Sequence, residues 1–335
     1  MITVPTVFIL GAGSNTDYGF PSGKELVDEI CRPIGQTDYR DPKNTTMSYN
    51  TFLEYKIDIN KYQVFQKELI ESRLSIDTFI ENRQEFDEIG RKAMAITLLK
   101  CENSERLFRG KYPNFHFENK RNLEKLYDWY DLLWSYLARP FSLENISKNK
   151  LAIITFNYDR SLEHYFFTAL KRSSGKNDAD CALALKSIPI IHLYGSLGPL
   201  PWEDKGGVPY DSNASVDCVE RSYKFIELIR AQANSATSGK FEASHHYIDA
   251  ATRVFILGFG FDYTNIRRLK LHELLKSKEV WATSLGLSKS VKEVIVRAPV
   301  KRVRSGTSDV INLIDFDQLL DGTVYQLLHD IVSIY

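Results

Sequence analysis

The chain has 335 residues, 43% hydrophobic and 26% charged, with 18 tyrosines and 19 phenylalanines, a composition that excludes a disordered or fibrous chain. Its 43 basic and 43 acidic side chains balance to a formal net charge of zero, which removes the general attraction to nucleic acid or an anionic membrane surface. The four cysteines, at 31, 101, 181 and 218, form no C-x-x-C pair, so free thiols in a reducing cytoplasm are expected rather than a structural zinc module. Apolar runs stop at about five or six residues against the roughly 20 of a membrane-spanning helix, and no secretory signal pattern opens the chain.

In chain order, the apolar run Val7–Leu10 ends in Gly11-Ala12-Gly13-Ser14, the pattern of a buried strand feeding a glycine-rich turn. Such a turn lets backbone N–H groups approach a phosphate closely. Tyr18-Gly19-Phe20-Pro21-Ser22-Gly23 follows, and then the helical stretch Lys24–Ile30. From about 45 to 147 the spacing is helical, as at Leu123, Leu126, Tyr130, Leu133, Trp134 and Leu137, with few strand signals, which reads as a helical insertion. Leu151–Phe156 predicts a strand, Asn157-Tyr158-Asp159 a turn, and Arg160–Leu170 an amphipathic helix. The polar segment 171–181 predicts a surface loop. Ile188–Leu193 predicts a strand ending at Tyr194-Gly195-Ser196, and 203–220 a second loop, long enough to act as a lid.

Arg253–Leu257 repeats the make of the first run, ends in Gly258-Phe259-Gly260 and leads to a helical pattern through Ile266–Leu275. Val280–Ser284 predicts a strand, Ser288 the cap of a helix over Val291–Ala298, Val310–Phe316 a last strand and Tyr325–Ser333 a closing helix. Strands alternating with helices imply an α/β fold with a Rossmann-like parallel sheet. Its core is expected over 1–44 and 148–335, around the insertion at 45–147.

The dehydrogenase fingerprint G-x-G-x-x-G fails at Thr16, which demotes hydride transfer. Asn157 and Asp159 stand where a parallel strand should end, the place where open α/β sheets bind ligands. An amide and a carboxylate there can bind a ribose or orient water; equally, Asp159 can cap the next helix while Asn157 closes a turn. His192 and Tyr194, roughly 6.5–7 Å apart on one strand face, can line one pocket, or His192 can be a satisfied core residue. The remaining histidines show no metal-ligand spacing. Ser75–Glu81 can pack an insertion helix against the site, though it reads first as core packing.

Together, Gly11–Ser14 with Pro21-Ser22-Gly23, Thr155–Asp159, His192–Ser196 and Leu257–Gly260 resemble the SIR2-like (sirtuin-fold) family, in particular its zinc-free bacterial members. Ser75–Glu81 is similar to a Ser-Ile-Asp-x-Phe-Leu-Glu stretch in the helical part of such proteins. The resemblance implies a single sirtuin-type domain that binds NAD without zinc. It places the cofactor against Gly11, Ala12, Gly13, Ser14, Pro21, Thr155, Gly195, Gly258, Phe259, Gly260 and Asp262, and catalysis on Asn157, His192, Asp159 and Tyr194. It further implies an NAD hydrolase releasing ADP-ribose and nicotinamide, an anti-phage defence effector that forms a homo-oligomer or meets a defence-system partner protein. The chain departs from the family at Tyr194, where sirtuins carry the catalytic histidine before the glycine; His192 lies two residues upstream. That departure motivates the alternative of a non-catalytic NAD or ADP-ribose sensor, while the missing zinc module speaks against a protein-lysine deacylase.

Overall fold

The computed structural model of the protein describes residues 1–35, 49–108, 128–228, 235–296 and 314–331. After β1 (Thr6–Leu10) and α1 (Gly23–Ile30), the regular elements among the described residues before β2 are helical: α2 (Tyr49–Glu54), α3 (Ile59–Ser72), α4 (Ile76–Asn82), α5 (Asp87–Cys101), α6 (Ser104–Leu107), α7 (Trp129–Leu137) and α8 (Leu143–Ser147). Then come β2 (Leu151–Thr155), α9 (Ser161–Ser174), α10 (Asp178–Leu185), β3 (Ile190–His192), α11 (Val216–Ser222) and α12 (Ser235–Ala250). The last part holds β4 (Arg253–Leu257), α13 (Tyr263–Arg268), α14 (Leu271–Leu274), β5 (Glu279–Thr283), α15 (Lys289–Val296), β6 (Leu319–Leu320) and α16 (Val324–Gln326).

The six strands form one parallel sheet in the order β3-β2-β1-β4-β5-β6, the Rossmann-like order. Every residue of β1, β2 and β4 is buried, because helices cover both faces of a parallel sheet and polar side chains would meet no water on either. Leu10 pairs with Thr155 on one side and Leu257 on the other, so the three central strands end at one level. The register therefore brings the glycine turn after β1, the Asn157 turn after β2 and the Gly258 turn after β4 to a single edge, at the switch point of the strand order.

Several expectations change in detail. The 171–181 loop shrinks to 175–177, because Gly175 ends α9 in the left-handed region (φ 65°) and the Asn177 carboxamide oxygen immediately caps α10. The last third of 203–220 is helical, as α11. Its first part is no free lid: Val208 N–H donates to the Pro199 carbonyl at 2.8 Å, and the buried Arg160 guanidinium donates to the Val208 carbonyl at 2.7 Å. The helix expected through Ile266–Leu275 breaks at Lys270, whose φ is 52°. Of the strand expected over Val310–Phe316, residues 310–313 lie outside the described residues, Phe316 begins a 3-10 turn, and the strand that forms is Leu319–Leu320. Leu123, Leu126, 297–298 and 332–333 also lie outside them. No helix among the described residues is long and apolar enough to cross a membrane.

Candidate functional site

The two glycine turns are built against each other. Gly11 N–H donates to the Leu257 carbonyl at 3.0 Å and Gly13 N–H to the Gly258 carbonyl at 2.9 Å. A Cβ on Gly11 would lie 2.6 Å from the Gly258 oxygen, and one on Gly258 (φ 59°) only 2.0 Å from the Ser14 nitrogen. Backbone packing therefore accounts for these glycines without a ligand. Gly260 differs, since its Cβ position meets open space. Thr283, at the end of β5, accepts from Gly258 N–H at 2.8 Å and supports the second turn.

A buried polar network holds the first turn from below. Asn15 Nδ2 donates to Asp159 Oδ2 at 2.7 Å, the Tyr130 hydroxyl lies 2.7 Å from Ser161 Oγ, and Trp129 Nε1 donates to the Ser14 carbonyl at 2.8 Å. Trp129 and Tyr130 open α7, so the expected insertion supplies part of the frame of the turn. Ser161 donates through both N–H and hydroxyl to Asp159 Oδ1 at the start of α9, so Asp159 does brace that helix. Burial pushes the Asp159 carboxyl above its ordinary range, with the bonds from Ser161 and Asn15 opposing.

Above this network lies a cavity of about 140 Å³ whose walls include Ala12, Phe20, Pro21, Asp77, Phe156, Asn157, Tyr158 and Asp159. Asn157 is 8% exposed. Its N–H donates to Thr155 Oγ1 at 3.0 Å and its Nδ2 to Ser14 Oγ at 3.3 Å, while its Oδ1 is buried with no hydrogen-bond partner. Buried acceptors in native proteins are nearly always paired, and an orphan costs about 1–3 kcal/mol. Asp77 enters from the first turn of α4 and accepts the Tyr158 hydroxyl. Burial raises its carboxyl, which that bond partly offsets.

The structure separates His192 from this cavity. Its Nδ1 lies 2.7 Å from the Asn157 carbonyl oxygen and its Nε2 2.5 Å from Glu163 Oε1. It lines instead a second pocket, of about 370 Å³, with Glu163, Phe166, Trp202 and Glu203. Both ring nitrogens are engaged, and His192 is not among the residues that line the Asn157 cavity, unlike the arrangement expected. Tyr194 does not join it. The Tyr194 hydroxyl donates to Asn265 Oδ1 at 2.6 Å and accepts from Arg268 at 3.2 Å, tying its loop to α13. Burial moves that phenol up to about 12.

The other predicted positions divide in the same way. Ala12 and Pro21 line the cavity. Thr155 and Ser14 hold Asn157. Phe259 packs on Phe156 with ring centroids 5.0 Å apart. Gly195 (φ 73°) is required by a close crossing, since its Cβ would lie 1.9 Å from the Phe225 carbonyl oxygen. Asp262 caps α13 by accepting from Asn265 N–H at 3.1 Å. Asn15, Asp77 and Glu163 were not predicted. Asp77 falls within Ser75–Glu81, a stretch read as packing of an insertion helix and as similar to a family segment but not as a site residue, and Glu163 reads as a polar residue on an amphipathic helix; neither type carries a signal of its inward direction.

No protein-family model matches the chain, and no curated protein matches it significantly. Among the described residues no cluster of His, Cys, Asp and Glu is placed to hold a metal ion.

Proposed function

We propose that this is a SIR2-like protein of sirtuin-type fold that binds NAD at the edge of the sheet and hydrolyses it to ADP-ribose and nicotinamide. The observation that carries the reading is the unpartnered Asn157 Oδ1 at a small cavity beside the switch point. At about 140 Å³ the cavity is below the roughly 300 Å³ of a typical small-molecule site, so it suits one ring of a larger ligand whose remainder extends over the exposed sheet edge at Gly260. NAD, when bound, supplies a cationic nicotinamide that leaves neutral, so the protein has no leaving group to protonate. Its task is to hold the ribose, stabilise positive charge and present water. Asn157 Oδ1 accepts a hydrogen bond from the ligand or from that water, and the carboxylates of Asp77 and Asp159 provide the negative field. Phe156 and Phe20 supply apolar wall against bulk water.

The engagement of His192 favours a second reading, an NAD or ADP-ribose sensor that does not turn its ligand over. Incubation with NAD separates the two. The hydrolase reading predicts nicotinamide release, reduced about 10²- to 10³-fold in Asn157→Ala. Calorimetric binding of NAD without release at any protein concentration supports the sensor instead. The wider role that fits the hydrolase is that of a cytoplasmic defence effector depleting NAD, working as a homo-oligomer or with a partner protein.

A further inference from the structure

Pairing between β2 and β3 ends at Thr155 and His192, so Asn157, two residues on, has no strand neighbour. Side chains take over the work of the ladder. Asn157 N–H donates to Thr155 Oγ1 at 3.0 Å, which restrains φ. The Asn157 carbonyl meets the His192 ring at 2.7 Å, which restrains ψ. The next carbonyl, of Tyr158, accepts from Leu197 N–H at 2.9 Å. With planar peptides, those two dihedrals fix where the Asn157 side chain emerges.

The ring itself is held from behind. A carbonyl oxygen only accepts, so Nδ1 carries a proton and donates it there, while Nε2 lies 2.5 Å from Glu163 Oε1. Burial works against the charged ring, yet Glu163 outweighs it and holds the imidazole above its ordinary value. Asp159 and Glu203 are the other charged groups facing the ring, and Arg160 is saturated by Glu102 and loop carbonyls.

We propose that Glu163 and His192 are positioning residues that aim the Asn157 side chain into the cavity by gripping its carbonyl, without touching the ligand. This rests on Asn157 holding the ligand of the function proposed above. Asn and Gln substitutions divide the imidazole in two, because an Asn amide nitrogen falls near the Nδ1 position and a Gln amide nitrogen near Nε2. In the full chain, His192→Asn is expected to keep kcat for nicotinamide release within about threefold. His192→Gln, which abandons the carbonyl, is expected to lower kcat about 10²-fold with KM little changed, as for a misplaced catalytic group. Equal large losses in both would make the imidazole an acid or base; equal retention would leave it without a role; either overturns the proposal. Should His192→Gln not fold, Glu163→Gln carries the test, with kcat falling at constant KM expected and an unchanged kcat overturning it. A chain that neither binds nor hydrolyses NAD sinks the function alone. The Asn157 side-chain amide resonance then decides: displaced in His192→Gln but not in His192→Asn is expected, and an equal response to both overturns the proposal.

Discussion

Two cavities flank the turn after β2, and they differ in a way that volume does not capture. The larger, about 370 Å³, contains the histidine that a sequence reader would choose, but that imidazole is saturated by Glu163 and the Asn157 carbonyl. The smaller, about 140 Å³, contains no histidine, yet a buried amide oxygen there lacks a partner. A satisfied polar group is explained by the protein itself, whereas an orphaned one invites a partner, and each cavity has one: Asn157 Oδ1 in the smaller and the Trp202 indole nitrogen in the larger. The smaller cavity is the better candidate site because Ala12, Asn157 and Asp159 place it at the sheet edge beside the switch point, whereas the larger one houses the engaged His192–Glu163 pair.

The strongest test of that contrast is Arg160, which lines the larger cavity and directly follows Asp159 of the smaller one. It is 2% exposed, pairs with the fully buried Glu102 at 2.7 Å and donates to the Val208 carbonyl. Arg160→Met leaves the carboxylate buried and unpaired, with an expected loss of about 3–5 kcal/mol in urea unfolding. A loss below about 1 kcal/mol would mean that the pair does not organise the region. Asp77→Asn is next: nicotinamide release falls about tenfold, while stability holds or rises by about 1 kcal/mol, because a neutral amide removes a buried charge that the site tolerates for function. A loss of stability with unchanged release would return Asp77 to a purely structural role.

A smaller effect is expected in pH dependence. The folded His192 titrates above its ordinary value of 6.5, so its stabilising share is complete below about pH 6.5 and is lost as pH rises through the raised folded value. The stability gap between wild type and His192→Asn should therefore be widest below about pH 6.5 and narrow above it; a gap that widens with pH contradicts the pair. Smallest of all is Trp202→Phe in the larger pocket, stacked on Phe167 at 4.7 Å. Nicotinamide release is expected to stay within about twofold, since no polar group of the smaller cavity depends on that indole. A tenfold fall would merge the two cavities into one functional unit.

Much of the frame was legible in the residues. Val7–Leu10, Leu151–Thr155 and Arg253–Leu257 read as buried parallel strands because they are almost wholly apolar, and Ser288 and the glycine turns marked where a helix begins and strands end. The 171–181 segment misled because polar composition alone does not separate a loop from two solvated helix ends. The glycines misled more instructively. They read as room for a phosphate, whereas Gly11, Gly13 and Gly258 are required by the approach of one turn to the other.

The sequence by itself determined which strands are buried, that they lie parallel, and that Asn157 and Asp159 follow one of them, because burial and turn chemistry are local properties of residue order. Only the tertiary structure decided that Leu10, Thr155 and Leu257 end level, that Asp77 joins Asn157 from a helix 80 residues away in the chain, and that His192 faces Glu163 instead of the cavity. Those outcomes depend on sheet register and on side-chain direction across elements remote in sequence, and no local pattern encodes either.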